Sequence, residues 1–524
     1  MRRPNILLIQ TDQQKASSLD LYNRDVNYIK TEHISQLAEE GVVFDNTYCP
    51  YPLCVPSRTS MMCGQYPSTT GYIGNEPCGM AGKKMTLFDL LKSVGYRTML
   101  VGKDHAYGLP RPGANPAEKW TPPKEMKAVF DDIYTAWHGM FHSPDTNRDC
   151  PKLEPFLQAH DSLSQLWGAE VAPWSTDETQ TAAICNAFID LAGKHSRSSS
   201  QPFACWLSIS DPHEPYQAPR DMYERMEQER IGFYPNRDSD FSNRAEYMQF
   251  FQWFFNAGGP IPEEDELRLI KVYLAMCKNV DLQLGRVFDF LKKKGLWEDT
   301  LVIFTSDHGD LTGEHRLLQK FNCTYNGSAK VPLIVSWPGR TQGQKRVKTP
   351  VNLVDLPATI CSLLGIDPLP DDQGMDLSPA LLRDRVLDKK YTVIESGVPG
   401  PGLTCKDIQN FSTHKYNIIP KKRNAYDPPH RYAGRTYAVC SERYKLITRE
   451  GQCNELYNVE QDPWEIENLA QKPDMKEVVE EHLLYLVKHL TDQFVYPADT
   501  KIAPQDALYP LGGDKSWDEC AAED

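Results

Sequence analysis

The sequence predicts an α/β protein, in which a mostly parallel sheet is sandwiched by helices and followed by a smaller C-terminal α+β domain. Short apolar runs alternate with helical patterns over about the first 370 residues, as in parallel sheets covered on both faces. The chain has 524 residues, and single hydrophobic cores stop growing near ~250–300 residues, so a second domain is expected. Hydrophobic residues make up 40% of the chain and charged residues 24%, which suits a folded protein with a sizeable core.

The elements of the first part follow from length and periodicity. Apolar runs of strand length are Asn5–Thr11, Arg97–Val101, Phe203–Ile209, Leu301–Thr305 and Pro332–Ser336. Helical patterns are His33–Glu40, Thr86–Val94, Thr179–Lys194, Glu266–Lys294 and Asp355–Leu364. Ligands of such sheets bind beyond the carboxyl ends of the strands, where several polar motifs of this chain fall. These ends are therefore the predicted site.

A segment rich in proline and aspartate, around residues 366–390, marks a predicted boundary. Beyond it, Tyr391–Glu395, Thr436–Cys440 and Tyr444–Thr448 have strand character, and Met475–His489 has helical character. We predict a large domain over residues 1–370, a small α+β domain over residues 371–495 and a tail over residues 496–524. The tail has no periodicity, and the sequence leaves open whether it wraps around the protein.

Charge and apolar content exclude several classes of protein. Asp and Glu number 71 against 57 Lys and Arg, a formal charge of −14, which argues against a nucleic-acid or anionic-membrane binder. The first apolar run is short and no small-residue cleavage site follows it, so we expect neither a signal peptide nor a membrane span. The 14 cysteines form no CxxC pair. We therefore expect a cytoplasmic protein with free thiols.

The most informative segment is Cys54-Val55-Pro56-Ser57-Arg58, with Gly64 downstream. It resembles the C-x-P-S-R signature of the type I sulfatase family, a branch of the alkaline phosphatase superfamily. In that family the cysteine is oxidised after translation to formylglycine, whose hydrated aldehyde is the nucleophile. A lone cysteine is more often a buried core thiol, so further motifs are needed to support the resemblance.

Four further motifs match the family, and each follows a predicted strand. They are Asp12, Gly102-Lys103-Asp104-His105, Asp211-Pro212-His213-Glu214-Pro215-Tyr216, and Asp307-His308-Gly309 with Gly313, His315 and Lys320 beyond. The resemblance covers roughly residues 4–365 and extends weakly to residues 444–463. Five elements in the family's order make coincidence improbable. The resemblance implies an alkaline-phosphatase-like fold.

The family resemblance also implies a role for each matched position. A divalent cation would be bound by Asp12, Gln13, Asp307, His308 and the oxygen of modified Cys54. Gln13 stands where many members have a second Asp, and His308 where Asn is common. Oxygen ligands favour Ca²⁺, while the imidazole leaves Mn²⁺ open.

The remaining roles concern charge and protons. Arg58 would hold the formylglycine and balance charge at the metal, and Lys103 and Lys320 would neutralise the sulfate oxygens. His213, with Lys320, would protonate the leaving alcohol. His105 would take the proton that releases sulfate.

We therefore predict hydrolysis of a sulfate monoester to alcohol and inorganic sulfate. The alternative is a phosphonate monoester or phosphodiester hydrolase of the same superfamily, which uses the same modified cysteine and also carries Gln and His at the metal. Lys103 and His105 favour the sulfatase. A non-catalytic protein that only binds metal would have no reason to keep the whole set of motifs.

The expected partners are a small sulfate ester and a formylglycine-generating maturation enzyme. An acidic surface does not attract large polyanions, so a carbohydrate, aryl or choline-like sulfate is favoured. A homo-oligomer is left open. The segment His414–Arg435 carries six Lys and Arg residues against one acid, Asp427, interleaved with three tyrosines. It is interpreted as a solvated loop or as a lid over the sulfate site.

Overall fold

The structure is a computed structural model that describes residues 3–75, 79–80, 82–108, 122, 124–135, 169–256, 261–320, 323–383, 385–398 and 434–492. The tail predicted over residues 496–524 and nearly all of the basic segment His414–Arg435 lie outside these residues, so both interpretations stay predictions.

Within the described residues, the strands and helices follow one another along most of the chain. The strands are β1 (Asn5–Thr11), β2 (Val42–Phe44), β3 (Thr47–Tyr48), β4 (Arg97–Gly102), β5 (Asp132–Thr135), β6 (Glu170–Ala172), β7 (Phe203–Ser208), β8 (Gln217–Pro219), β9 (Thr300–Ser306), β10 (Leu333–Ser336), β11 (Lys345–Val347), β12 (Val351–Asn352), β13 (Thr392–Ser396), β14 (Thr436–Cys440), β15 (Tyr444–Arg449) and β16 (Glu455–Asn458). The helices are α1 (His33–Glu40), α2 (Cys54–Cys63), α3 (Pro67–Thr70), α4 (Leu87–Ser93), α5 (Lys124–Val129), α6 (Gln180–Ser198), α7 (Arg220–Arg225), α8 (Glu246–Asn256), α9 (Glu263–Lys293), α10 (Asn326–Ala329), α11 (Asp355–Leu364), α12 (Ser378–Leu382) and α13 (Lys476–Asp492).

An eight-stranded sheet forms the centre of the large domain, in the order β11-β2-β10-β9-β1-β7-β4-β5. Strand β1 pairs in parallel with β7 and β9, and β4 pairs in parallel with β7 and β5. Only β10 runs antiparallel to its neighbours in this sheet. Every residue of β1, β7 and β9 is buried, as expected for strands covered on both faces. The predicted fold class is confirmed.

The predicted elements are present, and the structure adds others that the sequence did not predict, among them β2, α2 and α8. All five predicted strands of the large domain are observed, with ends that differ by at most one residue. Strand β2 has only three residues, too few to show alternation. Helix α2 is buried on every side, so it has no polar face and hence no helical pattern.

The small C-terminal sheet is antiparallel, in the order β13-β14-β15-β16, and α13 packs against β14. Its inward side chains, among them Ile394, Ala438 and Ile447, belong to the same apolar cluster as the core of the large sheet. Hydrophobic packing therefore continues from one sheet into the other. The division at residue 370 stays a prediction.

Two further features concern membrane-spanning helices and cysteine thiols. No helix in the described part of the chain is both long and apolar enough to cross a membrane. The cysteines that the structure describes are all free, and all except Cys453 are buried. Free thiols were predicted from the absence of paired spacing.

One glycine is required where the end of β4 contacts the end of β7. Gly102 ends β4 with a φ of 111°, and an added Cβ would lie 1.9 Å from the carbonyl oxygen of Ser208 at the end of β7. The same oxygen accepts the N–H of Lys103 at 2.8 Å. Only glycine allows this contact, which brings Lys103 to the end of β7.

Gly102→Ala is therefore expected to destabilise the protein by about 3 kcal/mol or more, because the carbonyl cannot move away without breaking the strand pair. Chemical unfolding followed by circular dichroism measures the loss. Gly295→Ala is the matched control, since its φ is 65° but no atom lies within 4 Å of the added carbon; about 1 kcal/mol is expected there. Equal losses in the two variants would contradict the steric argument.

Candidate active site

The polar motifs converge at the carboxyl edge of the large sheet. Asp12 follows β1, Asp307 follows β9 and Lys103 follows β4, and all three side chains are buried. Helix α2 begins at Cys54 and places that residue against the same edge. The sheet order explains the convergence, because β9, β1, β7 and β4 are successive neighbours.

Three residues of the Cys54–Gly64 segment, namely Pro56, Ser57 and Gly64, have a clear local structural role. Pro56 lies in the first turn of α2, where a backbone N–H has no helical partner to lose. The Ser57 hydroxyl donates to the carbonyl oxygen of Asp307 at 2.6 Å. Gly64 ends the helix with a left-handed φ of 67°. The motif therefore builds a buried helix that is fastened to the end of β9.

Arg58 links the two predicted metal-binding carboxylates. Its Nε donates to Asp307 Oδ2 at 2.7 Å, and its Nη2 donates to Asp12 Oδ2 at 3.0 Å. Its Nη1 donates to the hydroxyl of Ser208 at 2.8 Å. Burial alone would lower the pKa of Arg58, but the two carboxylates raise it above its usual value. The guanidinium is thus a permanent cation between β1, β9 and α2.

Four side chains form a candidate cation site. The ligand atoms of Asp12, Cys54, Asp307 and His308 are all buried and lie within 4.8 Å of one another. His308 Nδ1 donates to the carbonyl oxygen of Gly309 at 3.0 Å, which leaves Nε2 facing Cys54 Sγ at 3.2 Å. Burial lowers the pKa of His308, so the ring is neutral, as a metal ligand must be. This donor set suits a divalent cation.

Lys103 adds a second positive charge beside this cluster. Its ammonium contacts Asp12 Oδ2 and lies 3.9 Å from Cys54 Sγ. Burial would raise the pKa of Asp12, but the cations of Lys103 and Arg58 help to hold it well below its usual value. Asp12 is therefore an anion at neutral pH. Lys103 thus lies beside the cation cluster, and its predicted role towards the sulfate oxygens stays a prediction.

His213 and Lys320 are also brought together. Lys320 Nζ lies 2.9 Å from His213 Nε2, although the two residues are far apart in the chain. Lys320 also donates to the side-chain oxygen of Gln13. Gln13 Nε2 in turn donates to Glu214 Oε2 at 2.9 Å. The proton-donor role of His213 and Lys320 and the metal-ligand role of Gln13 both stay predictions.

His105 follows Lys103 by two residues and is half-buried, with a left-handed φ of 46°. Asp104 between them accepts the N–H groups of Ala106 and Tyr107 at 3.1 and 2.7 Å, and so shapes the loop. Burial raises the pKa of Asp104 to about 6. Asp104 therefore has a structural role within this motif, because it holds the loop that follows β4. The proton-accepting role of His105 stays a prediction.

His315, grouped with the metal motif in the sequence, makes its described contacts elsewhere. Its ring nitrogens lie 3.0 Å from Asn236 Nδ2 and 2.7 Å from Ser239 Oγ, and the ring packs on Tyr325. It is absent from the cation cluster found among the described residues. The predicted ligand set does not include His315, and the structure places its ring against Asn236, Ser239 and Tyr325.

Sequence reasoning gave no role to several residues that support the site. Ser208 binds Arg58, Asn75 Oδ1 accepts the Val55 N–H at 3.1 Å, and Asp310 contacts Gln13. Asp310 directly follows the motif Asp307-His308-Gly309 and could have been singled out as a charged residue near the end of β9. Ser208 and Asn75 carry no signal in a single sequence.

The unmodified thiol of Cys54 is not activated as a nucleophile. Burial, together with the negative charge of Asp12, raises its pKa to about 12. Cysteine nucleophiles have lowered pKa values. This environment argues against a thiolate nucleophile at Cys54, such as the one that a cysteine peptidase uses.

In the unmodified, metal-free protein, Cys54 is expected to resist iodoacetamide at pH 8, because nearly every molecule holds the thiol proton when the pKa is about 12. Exposed Cys453 provides the comparison within the same chain. Peptide mass spectrometry measures the alkylated fraction of both. Cys54 alkylation should accelerate as pH rises, and equal rates for the two cysteines at pH 8 would contradict the assigned environment.

Comparisons with known proteins agree with this geometry. The sulfatase family model matches residues 4–366. The chain is 27% identical to a choline-sulfatase of Rhizobium meliloti, over 90% of this chain and 83% of that protein. It is 25% identical to an arylsulfatase of Clostridium perfringens, over 93% and 94% of the two chains. The structure of a phosphonate monoester hydrolase of Agrobacterium radiobacter has the same fold, with a TM-score of 0.73, 23% identity and coverage of 94% and 96%. The chain belongs to the sulfatase family, and the predicted class of sulfuric ester hydrolase is confirmed.

Proposed function

We propose that the protein hydrolyses a sulfate monoester to an alcohol and inorganic sulfate, with formylglycine made from Cys54 as the nucleophile and a divalent cation as cofactor. The observation that carries the proposal is the position of Cys54. It lies at the first turn of α2, inside a buried cluster of two carboxylates and a neutral imidazole. Lys103 and Arg58 border the same cluster.

The metal and the modified residue supply chemistry that unmodified side chains lack. A cation held by Asp12, Asp307, His308 and residue 54 would polarise a sulfate oxygen and favour the ionised nucleophile. A hydrated aldehyde at residue 54 would provide one hydroxyl for attack and a second for the release of sulfate. We propose Ca²⁺, because carboxylate oxygens dominate the site, with Mn²⁺ as the second choice since His308 contributes nitrogen.

The protein's own charges would carry the rest of the reaction. Arg58 keeps Asp12 and Asp307 in place as anions through its two ion pairs. Lys103 and Lys320 would bind the sulfate oxygens and offset the charge that develops on them. His213 and Lys320 would give a proton to the leaving oxygen, and His105 would accept a proton when sulfate is released.

The second candidate is hydrolysis of a phosphonate monoester or phosphodiester. Gln13 and His308 favour it, because these residue types are the ones expected at its metal. The ammonium of Lys103 beside Asp12 and Cys54 favours a sulfate ester instead, since a further cation offsets charge on the transferred group. We therefore place sulfate ester hydrolysis first.

The substrate, maturation and location are further proposals. The relatives include a choline-sulfatase and an arylsulfatase, so a carbohydrate, aryl or choline-like sulfate is proposed. Cys54 is 1% exposed in the folded chain, so a formylglycine-generating enzyme would have to reach it before α2 packs. A cytoplasmic location and a homo-oligomer stay predictions.

The test is a turnover screen of sulfate esters beside phosphate and phosphonate esters, with protein whose residue 54 has been checked for formylglycine by mass spectrometry. Cys54→Ala is expected to lower kcat by more than about a thousandfold, because loss of the nucleophile should cost more than ~4 kcal/mol. Cys63→Ala is the matched control, since Cys63 ends the same buried helix and contacts Met80. Substantial residual turnover in the Cys54 variant would rule out the assigned nucleophile.

Metal removal should abolish turnover, and readdition of Ca²⁺ or Mn²⁺ should restore it. Asp307→Asn is expected to weaken metal binding at least tenfold, because a neutral amide replaces a charged oxygen ligand. Elemental analysis and calorimetric titration measure the metal directly. A metal-free preparation with full activity would contradict the proposed cofactor.

A further inference from the structure

One oxygen of Glu214 lies at the centre of the groups that surround the proposed proton donors. Glu214 Oε2 is 2.9 Å from Gln13 Nε2, 3.2 Å from His213 Nδ1 and 4.0 Å from Lys320 Nζ. The side chain is 9% exposed. All three neighbours present nitrogen to this single carboxylate oxygen, so one buried side chain touches both proposed proton donors.

These contacts determine the orientation of the His213 ring. Nδ1 faces the carbonyl oxygen of Glu214 at 2.7 Å as well as its carboxylate. Both are acceptors, so Nδ1 carries a proton and the ring cannot flip without losing them. Nε2 is thereby directed to Lys320 at 2.9 Å.

Glu214 also acts on Lys320 through Gln13. The NH₂ group of Gln13 donates to Glu214 and also to Asp310. The amide oxygen must then point the other way, where it accepts from the Lys320 ammonium. Reversing this amide would place its oxygen against two carboxylates and its NH₂ against an ammonium, so the carboxylates fix the position of Lys320 as well.

We infer that Glu214 is a positioning residue that holds His213 and Lys320 as a proton-donor pair for the leaving alcohol. The inference rests on the proposed function. In the step concerned, the ionised oxygen of the nucleophile at residue 54 would form a bond to sulfur while the bond between sulfur and the bridging oxygen breaks, and the electron pair of the broken bond stays on the bridging oxygen. A proton from the pair joins the oxygen, so the alcohol leaves neutral and the donor is left with one proton fewer.

This role predicts a dependence on the leaving group. An acidic phenol such as 4-nitrophenol leaves readily as an anion, whereas a more basic phenol needs the proton as the bond breaks. Loss of Glu214 should therefore lower kcat/KM more for the sulfates of basic phenols than for the sulfates of acidic phenols. A carboxylate that merely stabilised the fold would affect all substrates by the same factor.

The experiment compares kcat/KM for wild type and Glu214→Ala over a series of aryl sulfates, from 4-nitrophenyl to phenyl sulfate. The alanine variant should lose about tenfold or more on phenyl sulfate beyond its loss on 4-nitrophenyl sulfate. Glu214→Gln keeps an acceptor oxygen and should recover most of that difference. His213→Ala should give the same pattern as Glu214→Ala. Glu214→Asp, which withdraws the carboxylate by one methylene, takes the place of the alanine variant if that variant does not fold.

Glu465→Gln is the matched control, because Glu465 is another buried glutamate, ion-paired to Lys445 at 2.7 Å. Any loss of kcat/KM in Glu465→Gln should be by the same factor for every aryl sulfate of the series. A uniform loss in Glu214→Ala would overturn the inference.

Crystal structures of wild type and Glu214→Ala provide a readout that needs no turnover. The inference expects the His213 ring to leave hydrogen-bond distance of Lys320 in the variant, and an unchanged pair would overturn it. If wild type hydrolyses none of the sulfates, the proposed function fails, and this structural comparison still decides the role of Glu214.

Discussion

The site depends on one buried guanidinium. Arg58 is completely buried and bridges carboxylates that follow β1 and β9, while it is itself carried by α2. Two carboxylates this close and this buried would repel each other without a cation between them. Removing one member of a buried charge network typically costs about 3–5 kcal/mol, since the others are left unpaired. Arg58 therefore joins two strands and a helix through charge as well as through packing.

The same electrostatic logic explains the residue at position 13. Gln13 presents its NH₂ group to the carboxylates of Glu214 and Asp310. An aspartate at this position would add a third negative charge to that group, with no donor to offer. The neutral amide is thus matched to its surroundings, and it leaves the cation cluster with one carboxylate fewer than the family pattern implies.

The sequence was informative where local chemistry decides structure. Apolar runs predicted the strands, and the polar residues that follow them, such as Asp12 and Asp307, could be placed at one edge because parallel strands share it. The sequence was uninformative where contacts join distant segments. Glu214 contacts Gln13, His213 and Lys320, which come from three separate segments of the chain. The sequence around Gln13 does not indicate that these residues lie near it. His315 follows the metal motif in the chain, yet its contacts with Asn236 and Ser239 could not be foreseen from that position.

The continuity of the core into the small sheet has a consequence for how the molecule comes apart. Glu455 in β16 accepts hydrogen bonds from Arg449 and from Tyr325, which belongs to the large domain. Separating the two sheets would expose apolar side chains and leave this buried carboxylate short of a donor. Folding and unfolding should therefore be cooperative across the boundary near residue 370. The large sheet that carries the site thus shares its core with a sheet whose strands β14, β15 and β16 lie more than a hundred residues beyond Asp307 in the chain.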